Sequence, residues 1–388
     1  MLKKMLAMLL ALVMALSLVA CGGGKTEEPT KTDAPAKTEE PAKQPEKEED
    51  PYEYPANGVL TSVIAYSAGG TSDNIVRQVS VMMAEYLGCN SNCVNVTGGS
   101  ASVAGLKVQN ENTGEGLQAV GYLLPAPGSW GTLGYTEDID WSDWYAFAAV
   151  QSPFCFSVSK DSGFTTLDEV IEAAKANPGQ MKWGNAGIGS AIHLSGQMLL
   201  DATGVDAVAV PFGGGREAAT NVMAGEIDWV WASVGDVKDL LESGDLICLG
   251  SVSTEEIEIT SPAGTYMVPS LHDLYPEAAA NASALGYYGM ALPRDTDPQA
   301  VAAFKEAFEY AVNSDEFKEF AEGLGMLPVC ITGDEVDEMM AQAQSLYAWT
   351  LYEQGLAAEG ITPDGLGIPK PADFDFSKVD LTNVNPWP

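Results

Sequence analysis

The alternation of apolar and polar positions repeats one plan along the chain: an apolar strand, a loop of Gly and Ser, then a helix. In "VLTSVIAYSAGGTSDNIVRQVSVMMAEYLG", Val59 to Gly88, the strand runs up to Ala65 and the chain turns through Gly69 and Gly70. Ile75, Val76, Val79, Met82, Met83 and Tyr86 then recur at helical spacing, with Ser72 as the expected N-cap and Gly88 as the stop. "CVNVTGGSASVAGLKV", Cys93 to Val108, follows the same plan with Gly98, Gly99, Ser100 and Ser102 in its loop. In "WGNAGIGSAIHLSG", a short strand over Met181 to Trp183 leads to Ser190 as a cap. Ala191, Leu194, Met198 and Leu199 then form a buried stripe that ends near Gly204. "AVAVPFGGGREAATNVMAG", Ala207 to Gly225, is the fourth case.

Strands alternating with helices predict an α/β fold with mainly parallel sheets, in which ligands collect outside the carboxyl ends of the strands. All four Gly-rich loops fall at such ends. Thr165 to Gly179 reads as a scaffold helix. Asp297 to Gly325 and Gly333 to Gly355 read as long amphipathic helices with acidic first turns, and the chain beyond Ile361 as an irregular tail.

The amino-terminal pattern is different. Lys3 and Lys4 precede an apolar run from Met5 to Leu18, too short for a membrane span, which reads as a signal peptide over residues 1–21. It ends in Leu18-Val19-Ala20-Cys21, which resembles the lipobox of bacterial lipoproteins and makes Cys21 the expected lipid-bearing residue. Residues 22–52, rich in Lys, Glu, Thr, Pro and Ala, read as a disordered acidic tether. The rest is longer than one core usually spans, so two lobes are expected.

Charge narrows the partners. Of 19 Lys and Arg only 12 follow Asp50, against 45 of the 54 acids, so nucleic acid is excluded as a partner. A small anion would have to be held by local dipoles. Cys89 and Cys93 can form a small-loop disulfide, but neither they nor the isolated His193 and His272 have the partners of a zinc site, so no metal and no cofactor are expected.

Two fragments suggest enzymes. Ser72-Asp73-Asn74 and Ser157-Val158-Ser159-Lys160 spell serine β-lactamase elements, but in the wrong order and without a K-T-G. Ser190 and His193 suggest a serine-type hydrolase, yet they lack an orienting acid and a G-x-S-x-G elbow. Anion capture is the stronger reading. Helix first turns present free N–H groups carrying about half a positive charge, and glycines let backbone approach a ligand closely.

These residues resemble a family. "AYSAGGTSDNIVRQ", "GGSASVAG", "FTTLDEVIEAAKANPGQMKWGNAGIGSAIHLSGQMLL" and "VAVPFGGGREAATNVMAGEIDWVWAS" are similar, in order, to segments of the receptors of tripartite tricarboxylate transporters, the Bug family of extracytoplasmic solute receptors. The resemblance implies a two-lobed type II periplasmic-binding fold, hinged between lobes, that captures a small carboxylate and delivers it to transporter membrane subunits. Such a receptor is not an enzyme and is expected to be a monomer. Lobe 1 would comprise 53–155 and 285–388, and lobe 2 would comprise 156–284. The implied ligand residues are Ser67, Ala68, Gly69, Thr71 and Asp73 from the first loop and Ser100 and Ser102 from the second. The other lobe would give Gly187, Gly189, Ser190, His193, Gly213, Gly214 and Arg216, with Trp231 and Ser233 shaping specificity. Asp73 is expected to fix its loop or to meet an ammonium group, since it would repel an anion. Tyr66-Ser67 replaces the family's usual aromatic-proline pair, and Phe212-Gly213 stands where the family often has a tyrosine and a lysine.

Overall fold

The computed structural model describes residues 53–136 and 139–388. The signal peptide, Cys21 and the tether lie outside the described residues.

In chain order the strands are β1 (Val59–Ile64), β2 (Asn90–Asn95), β3 (Gln118–Leu123), β4 (Trp144–Gln151), β5 (Phe154–Ser159), β6 (Lys182–Asn185) and β7 (Val208–Pro211). They continue with β8 (Trp229–Ser233), β9 (Leu246–Ser251), β10 (Ile257–Ser261), β11 (Gly264–Val268), β12 (Tyr287–Pro293) and β13 (Leu327–Ile331). One sheet has the order β13-β4-β12-β3-β1-β2, the other β7-β6-β8-β5-β9, and β10 with β11 forms a separate hairpin.

Strand direction is mainly parallel in each large sheet. Strands β1 to β4 point one way, with β12 and β13 opposed to them, and β6 to β9 point one way with β5 opposed. The opposed strands matter, because the chain leaves the first sheet through β4, enters the second through β5, and returns through β12. The two crossings lie side by side. The Ser152 N–H donates to the Gly286 carbonyl at 2.9 Å, and the Gln151 side-chain amide donates to the Ser283 carbonyl at 3.1 Å.

Strand β4, WYAFAAVQ, is buried along nearly its whole length because helices cover both faces, as its unbroken apolar run requires. Phe147 packs on Phe304 and Phe308 of the helix Pro298–Asn313, with ring centroids 4.8 and 5.4 Å away. At the Tyr288/Gly289 step β12 shifts register. A side chain on Gly289 would lie 1.9 Å from the Phe147 carbonyl oxygen, so only glycine fits the close approach beside Tyr288.

Two local expectations need correction, and one alternative left open by the sequence is decided. The helix Thr71–Leu87 begins at Thr71 with Gly70 as N-cap, so Ser72 lies inside its first turn and caps nothing. The cap comes instead from the other sheet, as described below. The long helix expected over Asp297 to Gly325 is two helices, Pro298–Asn313 and Asp315–Gly323, because the Ser314 hydroxyl accepts the Phe317 N–H at 3.1 Å and starts a new helix. Cys89 and Cys93 are not joined by a disulfide. The Cys93 thiol lies 3.7 Å from the Ser91 hydroxyl, its neighbour on the same face of β2.

Candidate functional site

Three of the four Gly-rich turns meet at one small cavity between the two sheets. From the first sheet come Tyr66, Ser67, Gly70, Thr71 and Ser72, backed by Leu123 and Tyr288. The second sheet supplies Ala186, Ile192, Gly214, Gly215 and Asp236. The starts of the helices Thr71–Leu87, Ala191–Thr203 and Gly215–Met223 therefore point into the same space. The cavity as it stands has a volume of only about 10 Å³, room for roughly one water molecule, so the two walls of the cleft are closed on each other.

The cleft is bridged by direct bonds. The Ser67 N–H donates to the Gly213 carbonyl at 3.0 Å, and the Thr71 hydroxyl donates to the Ser233 hydroxyl at 3.1 Å. The Thr71 N–H donates to the Asp236 carboxylate at 2.7 Å, so a residue 165 positions away caps that helix. Two glycines make room for this carboxylate. A side chain on Gly70 would come within 2.8 Å of one Asp236 oxygen, and one on Gly215 within 2.2 Å of the other. Gly214 is packed as closely, because a Cβ there would meet the Ser67 hydroxyl at 2.3 Å.

Asp236 is fully enclosed. Burial pushes its carboxyl above the usual carboxylate range, although the Thr71 N–H and hydroxyl, the Ser233 N–H and Arg216 pull the other way. Arg216 does not neutralise it directly. Its guanidinium donates to the Asp236 backbone carbonyl at 3.1 Å and spans both carboxylate oxygens of Asp239.

Of the residues expected at the site, Ser67, Thr71 and Gly214 line the cavity. Ala68 and Gly69 lie on the exposed outside of the turn. Asp73 is committed to its own loop: the Gly69 N–H donates to it at 3.0 Å, Asn95 at 2.9 Å, and Arg77 pairs with it. Burial alone would raise its pKa, but these donors hold it below the ordinary carboxylate range.

The second loop reaches across the cleft to the third turn and stays outside the cavity. The Ser100 hydroxyl donates to the Ile188 carbonyl at 2.6 Å, while Trp130 holds the Ser100 carbonyl at 2.9 Å. Ser100 faces Gly187, where a Cβ would sit 3.5 Å from its hydroxyl, and Ser102 is buried behind it. Gly189 is pressed on Leu133, with no room for a side chain.

Ser190 caps its helix as expected, accepting the His193 N–H at 3.1 Å. The His193 ring accepts the Gly189 N–H on Nδ1 at 3.3 Å and stacks on Trp183 at 5.6 Å. Burial holds its pKa down to about 4, so the ring is neutral with its proton on Nε2. No hydrogen bond links the Ser190 hydroxyl to the imidazole, so the pair lacks the geometry of a nucleophile and its base. Gly213 contributes the carbonyl that accepts from Ser67. Trp231 is buried beneath, its indole N–H donating to Ser195 at 2.7 Å, and Ser233 lies in the Thr71–Asp236 network, bonded also to Ser152 at 2.5 Å.

Tyr66, Gly70, Ala186, Ile192, Gly215, Asp236 and Tyr288 were not among the expected ligand residues. Asp236 had a readable signal: Ser233-Val234-Gly235-Asp236 has the spacing of a capping box after a strand, and that box forms.

A sequence model described as "Tripartite tricarboxylate transporter family receptor" matches residues 75–349. A Cupriavidus necator protein, "UPF0065 protein in gbd 5'region", is 25% identical over 302 residues, covering 76% of this chain and 87% of its own length. Among solved structures, MatC from Rhodopseudomonas palustris with bound malate aligns with a TM-score of 0.65 at 18% identity, covering 76% of this chain and 98% of MatC. Rpa4515 of the same organism, with adipate, aligns at 0.65 and 20% identity, covering 78% and 99%. With three convergent helix starts in a cleft between two sheets, and a family match across most of the described residues, this chain belongs to the receptor family of the tripartite tricarboxylate transporters.

Proposed function

We propose that the protein is an extracytoplasmic receptor, tethered through a lipid on Cys21, that captures one small carboxylate between two lobes and hands it to the membrane subunits of a tripartite transporter. Lobe 1 comprises 53–155 and 285–388, lobe 2 comprises 156–284, and they hinge where the chain crosses between sheets. The observation that carries this reading is the convergence of three helix starts on one enclosed cavity with almost no free cation. Helix N-termini hold a carboxylate without a counter-charge. MatC and Rpa4515, which share the fold, hold malate and adipate, and both are small carboxylates.

Calorimetry of the purified chain against a panel of small carboxylic and amino acids tests the proposal. One-to-one binding with no chemical change in the ligand is expected. Turnover of an ester or amide that is lost in Ser190→Ala, without saturable binding of any acid, would overturn it.

A further inference from the structure

The cleft contains a charge that a simple carboxylate trap does not need. Asp236 is 4% exposed and lines the cavity, and it is the only ionisable acid among the lining residues. Its two oxygens accept the backbone N–H groups of Thr71 and Ser233, with the Thr71 hydroxyl close by, so a carboxylate with about four acceptor sites keeps capacity for a further donor. No cation faces it. Arg216 is spent on Asp239, and Arg77 on Asp73. A buried carboxylate without a counter-ion is costly, and a like-charged ligand beside it would raise that cost.

A second, independent observation lies on the same wall. The Tyr66 hydroxyl and the Ser67 hydroxyl are both buried without a hydrogen-bond partner, and both residues line the cavity. Tyr66 itself is 7% exposed. Buried polar groups in native proteins are nearly always satisfied, so two orphaned hydroxyls beside a small cavity point to polar atoms supplied by a ligand. Hydroxyl donors and helix starts suit a carboxylate, whereas the adjacent Asp236 suits a cation. One carboxylate with neutral hydroxyls is too poor a set for Ca²⁺ or Mg²⁺, which take six or more oxygens, and lacks the His and Cys ligands of Zn²⁺.

Building on the receptor reading, we propose that the cleft, on opening to admit a ligand, selects an amino carboxylate, with the ligand's ammonium group on the Asp236 carboxylate and its carboxylate on the Ser67 and Tyr66 hydroxyls and the helix starts. The global field agrees. A formal net charge of −35 opposes a ligand the more, the higher its negative charge, and each amino carboxylate carries one negative charge fewer than its hydroxy counterpart. Specificity then lies in the exchange of one group, ammonium for hydroxyl.

The test uses ligand pairs that differ only there: L-aspartate against L-malate, and L-alanine against L-lactate. Each would be titrated calorimetrically into the full chain and into Asp236→Asn, whose folding is checked by thermal melting. The amino member of at least one pair is expected to bind at least tenfold more tightly, and Asp236→Asn to reduce that ratio at least tenfold. If the hydroxy members bind as well or better, or if a folded Asp236→Asn keeps the amino preference, the inference fails and the receptor reading stands. If no acid of either kind binds, the receptor reading fails with it. Should the variant not fold, the ratio in the unaltered chain decides alone.

Discussion

At Ser100 and Ala101 the backbone takes positive φ angles of 49° and 75°, directly after Gly98 and Gly99 at 127° and 52°. Side chains in this region cost of order 1–3 kcal/mol each, and such strain persists where the surroundings impose it. Here it presents the Ser100 hydroxyl to Ile188 across the cleft. Ala101→Gly is expected to stabilise the protein by about 1 kcal/mol in urea unfolding, because glycine adopts this φ freely. His193 gives a second prediction. Its folded pKa of about 4 lies below the unfolded value of 6.5, so its stability contribution is complete above pH 6.5 and declines as pH falls toward 4. Up to roughly 3 kcal/mol would be lost over that window, a loss absent from His193→Gln. Asp236 works in the opposite sense. Its pKa is raised on folding, so the unaltered protein loses stability relative to Asp236→Asn as pH rises from the unfolded carboxylate value near 3.8, a trend measurable by unfolding at a series of pH values.

The helix starts organise the next scale. Ser314 divides the carboxyl-terminal helical segment, and Ser314→Ala should cost about 1 kcal/mol by removing the cap that accepts from Phe317. Much of this layer was readable from spacing. Strand, Gly-rich turn and periodic helix follow one another within about thirty residues, and Ser190 and Gly204 act as the cap and stop their positions suggest. What escaped was set by distant partners. The cap of Thr71 is Asp236, and nothing within a window around either residue couples them. Ser100 resembled a ligand residue because a serine in a glycine loop reads the same whether it faces a ligand or the carbonyl of Ile188. Tyr288 reaches the cavity only because β12 returns to lie beside β3, a pairing between segments about 165 positions apart.

Across the whole molecule, the irregular tail after Ile361 is fastened to the first sheet. Arg294 and Asp337, each 8% exposed or less at the side chain, form a bidentate pair, and the Trp387 indole N–H donates to Asp337 at 3.0 Å. Arg294 also donates to the Asn385 carbonyl at 2.7 Å and lies over the Tyr145 ring at 4.4 Å. Arg294→Met should cost about 3–5 kcal/mol, since it leaves Asp337 as an unpaired buried charge, and Trp387 fluorescence should report release of the tail. The paired crossings have a mechanical consequence. If the proposed lobes move, two adjacent strips fastened to each other at Ser152–Gly286 and Gln151–Ser283 are expected to act like the two leaves of a door hinge on one pin, permitting swing and resisting sliding. A side chain on Gly286 would stand 2.6 Å from the Ser152 carbonyl oxygen, jamming that pin while leaving the cavity lining itself intact.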